Sequence, residues 1–242
     1  VYLIGFNPAA YGTEKFMDYA FMQKMITTTK LPPDDVWFAG KVINYYYGGQ
    51  YYAAFVAKTM IGGISKTEYS YNMMRALIPA LMFAGVYGIA DEMIKSRAKK
   101  KNVDFSKTKN RVRIQFFAVL SAVLAVFAGN GHYIIYGMLK PFINDTVASV
   151  SYTWHQDINV DSSSYWFPDA TRYIGYNPDV PTDKTIHEFP CYSFVLGDLH
   201  AHMINIMIVI TIIALLYSFV KNRKLTREKS KLYKCFGYPQ IY

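Results

Sequence analysis

Apolar positions in this chain fall in blocks rather than in a regular period. Three blocks are long enough to cross a bilayer: 73–94 (MMRALIPALMFAGVYGIADEMI), 114–129 (IQFFAVLSAVLAVFAG) and 203–220 (MINIMIVITIIALLYSFV). A spanning helix takes about 20 mainly apolar residues. Charge touches these blocks only near the ends of the first, at Arg75, Asp91 and Glu92, and Pro79 is tolerable where neighbouring helices satisfy the freed carbonyl. A fourth block, 44–62 (NYYYGGQYYAAFVAKTMIG), opens on Tyr45, Tyr46 and Tyr47. Such a density of amphipathic rings suits the headgroup layer rather than the hydrocarbon. With Gln50, Lys58 and Thr59 as a weak polar side, this block is expected to form a juxtamembrane helix.

Charge sets the orientation of the spans. Lys95 to Arg113 holds nine basic residues and one acid, and Lys221 to Lys234 holds seven and one; residues 130–202 hold three basic residues against eight acids. Lysine and arginine near span ends mark the cytoplasmic side. The expected layout is an outer loop 1–72, a cytoplasmic loop 95–113, an outer loop 130–202 and a basic cytoplasmic tail or truncated edge at 221–242. A crossing by 44–62 would put the most basic loop outside, so the tyrosine block is assigned to the outer face. Cys191 and Cys235 then fall on opposite sides, and no disulfide is expected. The fold class is mainly α: a polytopic membrane protein in the cell membrane, with a juxtamembrane helix and a long, partly irregular outer loop.

Composition agrees. Of 242 residues 52% are hydrophobic and 18% charged, with a formal net charge of +9. A basic, tyrosine-rich chain raises nucleic acid as a partner, but the basic–aromatic interleaving of such proteins is absent here. The bilayer is the expected partner, with no nucleic acid. The first residues lack a basic leader and a long apolar region, so they read as a fragment whose natural start lies upstream.

Chemistry concentrates in the two outer loops. Glu14 and Asp18 are four apart and share one face of a helix, either as a solvated face with Lys15 or as catalytic carboxylates at the membrane surface. Asp34 and Asp35, in LPPDDVWFAG, are expected to form a turn. Asp198, His200 and His202 alternate, which aims them one way in an extended chain; in a helix Asp198 and His202 still share a face. They suit metal binding, phosphate binding or proton transfer, or capping of the following span. Asp18, Asp198 and His202 are the candidate metal ligands, for a divalent cation such as Mg or Mn. Arg172 is able to clamp a phosphate or to pair with Asp169, and Glu188 lies further along the same loop.

EKFMDYAFMQ, PPDDVWFAGKVINYYYGGQYYAAFVAKTMIG, AGNG, WFPDATRYI and TIHEFPCYSFVLGDLHAHM occur in the order found in the YYY family of archaeal and bacterial polytopic membrane proteins. The chain resembles that family up to about residue 220, with Ala201 where DLHPH is usual. The family in turn looks like a remote branch of the GT-C membrane glycosyltransferases. What the resemblance implies is a GT-C-like fold, a first span before Val1, and transfer of a sugar from a polyprenyl-phosphate donor to an unknown acceptor at the outer face. It puts Glu14 and Asp18 at the acidic position of the first outer loop, with Asp18 as base and Glu14 assisting. Asp169, Arg172, Glu188, Asp198, His200 and His202 are then donor-binding residues, and Tyr45, Tyr46 and Tyr47 form the wall of a lipid-facing site. The alternatives are a non-enzymatic scaffold or transporter component, and a metal-dependent hydrolase built on DLHAH.

Overall fold

A computed structural model describes residues 14–59, 66–129, 170–172, 180 and 182–229. Among them are six helices: α1 (Lys15–Thr27), α2 (Gly48–Thr59), α3 (Thr67–Lys100), α4 (Thr108–Phe127), α5 (Pro190–Leu196) and α6 (Ala201–Lys229). The only extended pairings among the described residues are two isolated antiparallel bridges, Asp34 with Val42 and Arg172 with Ile186. The chain divides into two compact units. One comprises Val1–Ala122 with Leu199–Tyr242, the other Val123–Asp198.

Helices α3, α4 and α6 are each long and apolar enough to cross a membrane. At 1.5 Å per residue the 34 residues of α3 extend about 51 Å and the 20 of α4 about 30 Å, against a hydrocarbon core of about 30 Å. Only 22%, 22% and 17% of their most apolar windows are buried within the chain. A water-soluble fold would hide such surface, whereas lipid is its natural cover, and the protein is a multi-pass membrane protein.

These helices differ in extent from the apolar blocks. α3 begins at Thr67 rather than 73 and runs on to Lys100. Lysine and arginine are good helix formers, so the helix does not stop where hydrophobicity does. It ends at Asn102, whose φ of 54° is left-handed. There Val103 N donates to Ala98 O and Asn102 N to Lys99 O, the paired bonds that close a helix C-terminus.

In the first unit α1 packs on α2, both lie against α3, and α3 runs beside α6, which α2 also touches. α1 buries Asp18, Phe21, Met22, Met25 and Ile26, a stripe at 3–4 residue spacing. α2 buries Gln50, Ala53, Ala54 and Ala57 with the same spacing. Gln50 therefore lies on the core side of α2, contrary to the polar side expected for it, while Lys58 and Thr59 are exposed. The described helix α2 is 12 residues, about 18 Å, shorter than the hydrocarbon core is thick. A Cβ on Gly49 would sit 2.8 Å from Ile204 Cδ1, so glycine permits the close approach of α2 to α6. α3 and α6 are tied at their far ends by Lys221 with Glu92 and Tyr217 with Ser96.

Between α1 and α2 the chain turns on its prolines and acids. Asp35 Oδ1 accepts the N–H groups of Trp37 and Phe38 at 2.8 and 2.9 Å, and Asp34 pairs with Lys24 and Lys30 at 3.3 and 2.8 Å. Both act as turn residues.

In the second unit α5 starts on Pro190 and stops at Gly197, whose φ is 71°. His187 N donates to Thr171 O at 2.9 Å beside the Arg172–Ile186 bridge.

Candidate functional site

Asp18 stands one turn into α1, where a carboxylate is favoured by the helix dipole. Yet it occupies a core position of the apolar stripe and is 0% exposed. A buried carboxylate needs hydrogen-bond donors, and Gln50 supplies one from the matching position on α2. Gln50 Nε2 donates to Asp18 Oδ1 and to the Leu199 carbonyl, both at 2.8 Å. Both partners are acceptors, so the amide orientation is fixed: only the NH2 end can serve the two. The Leu199 N–H in turn donates to the Tyr71 hydroxyl of α3 at 3.4 Å.

Those bonds hold the backbone just before α6 and thereby aim His200. The His200 carbonyl accepts the Ile204 N–H, which makes His200 the N-cap and Ala201 the first residue of α6. His200 Nε2 lies 2.6 Å from Glu14 Oε2, and Nδ1 lies 3.9 Å from Asp18 Oδ2. The imidazole thus stands between a buried carboxylate and one that is 62% exposed. Nδ1 is beyond direct hydrogen-bond reach of Asp18, so of these two contacts only that of Nε2 with Glu14 is a hydrogen bond. A neutral ring that carries its proton on Nε2 donates it to the Glu14 carboxylate.

His202 stacks on His200, ring centres 5.6 Å apart and planes 15° from parallel, and faces solvent. Tyr45 packs on Phe21 and on Tyr46, each at 5.6 Å. Its phenol is pushed above the ordinary range by loss of water, then by the negative charge of Glu14 and Asp18, and by Tyr46. Tyr46 is 79% exposed, and Tyr47 immediately precedes α2, its carbonyl accepting the Tyr51 N–H.

The sequence candidates therefore divide. Glu14, Asp18, His200, His202 and Tyr45 come together in the first unit. Arg172, Glu188 and Asp198 belong to the second. There Arg172 Nη1 donates to the hydroxyls of Thr171 and Tyr192, and Glu188 accepts from Ser193 Oγ at 2.8 Å. Asp198 is buried. Asp169 lies outside the described residues, as does Cys235, while Cys191 is a free thiol whose burial pushes its pKa up. No group of three or more His, Cys, Asp or Glu side chains among the described residues is placed to hold a metal ion.

Gln50 and Tyr71 escaped the sequence reading. The signal for Gln50 was there: it shares a 0, 3, 4, 7 spacing with three alanines, the pattern of a core face.

An apolar cavity of about 390 Å³ lies between α2 and α3, lined by Ala53, Val56 and Ala57 on one side and by Met73, Ala76 and Leu77 on the other. It follows the face of α2 that begins with Gln50.

No curated protein and no solved structure matches this chain. A family model described as uncharacterised membrane protein (DUF2298) matches residues 1–241, and the chain belongs to that family.

Proposed function

We propose that this protein transfers a sugar from a polyprenyl-phosphate donor to an acceptor hydroxyl at the membrane surface, in the manner expected if its family is a remote branch of the GT-C glycosyltransferases. The observation that carries the proposal is the convergence of Glu14, Asp18 and His200 from segments 186 residues apart, beside a membrane-spanning helix. A lipid-linked donor keeps its tail in the bilayer and must react near the headgroups. The apolar cavity along α2 offers such a tail a seat on the face that begins with Gln50.

Exposure supports a division of roles opposite to that expected from sequence. Asp18 is fully buried and bonded to Gln50, whereas Glu14 is open to solvent. Glu14 is the base: its carboxylate takes the proton of the acceptor hydroxyl. The acceptor oxygen forms a bond to the anomeric carbon as the bond from that carbon to the phosphate oxygen breaks, and the lipid phosphate leaves with the electron pair. Asp18 is a positioning residue that holds His200, and through it Glu14.

The test is transfer from a radiolabelled polyprenyl-phosphate sugar by membranes holding wild type, Glu14→Gln or Asp18→Asn. Glu14→Gln is expected to lower kcat by about 10²-fold or more, with donor KM little changed. Asp18→Asn is expected to lower kcat less and to shift the pH profile, since it alters the partner of His200. Full transfer by a folded Glu14→Gln protein overturns the assignment. A second reading rests on the burial of Asp18: a structural clasp joining α1, α2 and the start of α6, in a non-enzymatic membrane component. On that reading Asp18→Asn loosens the fold while Glu14→Gln changes nothing measurable.

A further inference from the structure

The hairpin joining α3 to α4 carries charge that nothing described in the protein balances. Of the nine basic residues from Lys95 to Arg113, only Lys95 has an acidic partner among the described residues, Asp91 at 2.6 Å. Arg97, Lys99 and Lys100 close the last turn of α3, where cations complement the helix dipole. On the other arm only Arg113, whose guanidinium lies 5.9 Å over the Phe117 ring, has a local partner of this kind among the described residues. Lys107 flanks the start of α4, Lys109 lies in its first turn with no acid there, and Arg111 and Arg113 follow. They stand at the positive end of the dipole, where their own repulsion is increased. All are exposed, as is Lys101 in the turn, and none has an acidic partner among the described residues.

The acids nearby are engaged elsewhere. Glu92 pairs with Lys221. Asp104, the one acid of the segment, accepts the Ser106 N–H at 2.9 Å and the Ser106 hydroxyl at 2.7 Å. Asn110 donates to the Asp104 carbonyl at 2.8 Å, and the two bonds at Asn102 and Val103 fix the other side of the turn. The cations are thus presented on an ordered turn, with little loop entropy left to lose when an anion arrives.

We propose that this hairpin is a binding surface for the anionic headgroups of phospholipids in the adjoining leaflet. Both of its arms are membrane-crossing helices, so the headgroup layer is held against it by the fold itself. Guanidinium and ammonium groups both bind phosphate, the former through paired bonds. The surface is independent of the Glu14–His200 chemistry.

The experiment is reconstitution of the full chain into bilayers of phosphatidylcholine and phosphatidylglycerol, with retained lipid read by native mass spectrometry. Wild type is expected to keep phosphatidylglycerol several-fold over phosphatidylcholine, about fivefold for each cation that meets a headgroup. The preference is expected to shrink with added salt. A variant with Lys99, Lys100, Lys101, Lys107 and Lys109 all changed to Gln keeps only the smaller preference that Arg97, Arg111 and Arg113 sustain, while their replacement by Arg keeps the full one. Helicity measured alongside separates lost binding from lost folding, and the milder pair Lys107→Gln with Lys109→Gln gives a partial loss if the larger variant does not insert. Equal retention of the two lipids by wild type overturns the proposal, as does an unchanged preference in a helical Gln variant. Displacement of phosphatidylglycerol by co-purified nucleic acid or an acidic peptide overturns it as well.

Discussion

Gln50 donates to Asp18 across 32 residues of sequence, at 2.8 Å, between two side chains that are each 0% exposed. Its second N–H goes to the Leu199 carbonyl. One amide therefore joins α1, α2 and the approach to α6. Gln50→Leu preserves much of the volume but leaves the Leu199 carbonyl without this donor in a buried place. The expected cost is about 1–3 kcal/mol, read as a lower unfolding midpoint in detergent. Gln50→Glu is expected to be worse near neutral pH, because it sets a second carboxylate against Asp18. Wild-type stability in both variants excludes the amide as a clasp.

Asp34 offers a pH-dependent counterpart. Its carboxyl is held below the ordinary range, first by the hydrogen bond from Lys30 and then by that from Lys24. A carboxyl whose folded pKa is depressed contributes stability above its unfolded value, and that contribution fades as pH falls through the folded value. The group is at the surface, so the effect is small and screened by salt. Asp34→Asn is expected to unfold with wild type in acid and earlier than wild type near neutral pH. Thermal unfolding across that range checks it, and a gap that stays constant with pH contradicts it.

The parts legible from sequence are those set by local chemistry. Three apolar blocks announced three long helices because lipid solvation needs nothing beyond length and composition. Their ends were not legible, since Thr67–Tyr71 and Lys95–Lys100 are helical through propensity and packing rather than hydropathy. The pairing of Glu14 with Asp18 was visible as a spacing of four, but not which of the two is open. That depends on α2 covering one side of α1, which no local pattern encodes. His200 was visible as a candidate, whereas its contact with Glu14 depends on the Leu199 backbone bonds to Gln50 and Tyr71.

Ala201 is the first residue of α6, following the N-cap His200. Proline suits that position because the missing N–H has no partner within the helix, and φ is already near the value that the ring imposes. It also asks the residue before it to be extended, the usual N-cap conformation. Ala201→Pro is therefore expected to stabilise the protein by about 0.4–1 kcal/mol, with the Glu14–His200 contact intact. Thermal unfolding tests the first part, and transfer activity unchanged from wild type tests the second. A destabilised variant shows that the turn into α6 is not a simple helix start.

Gly49 decides how closely α2 meets that start. A Cβ there would lie 2.8 Å from Ile204 Cδ1 and 3.6 Å from Ala201 Cα. The first contact is with the end of a side chain and the second with backbone already at van der Waals distance, so Ile204 is the group that must move. Ile204 is buried, 1% exposed, and has little room to turn. Gly49→Ala is expected to destabilise by about 1–3 kcal/mol through overpacking. Pushing α6 away from α2 also lengthens the Gln50–Leu199 bond, so His200 loses its aim, and on the proposed function transfer is expected to fall with stability. Ile204→Val removes Cδ1 and leaves the rest of the side chain. In the double variant Gly49→Ala with Ile204→Val, stability is expected to recover relative to the sum of the single changes, a coupling of about 0.5–3 kcal/mol. Additive effects would mean that the alanine methyl is accommodated without Ile204, and that the glycine serves α2 itself rather than its contact with α6.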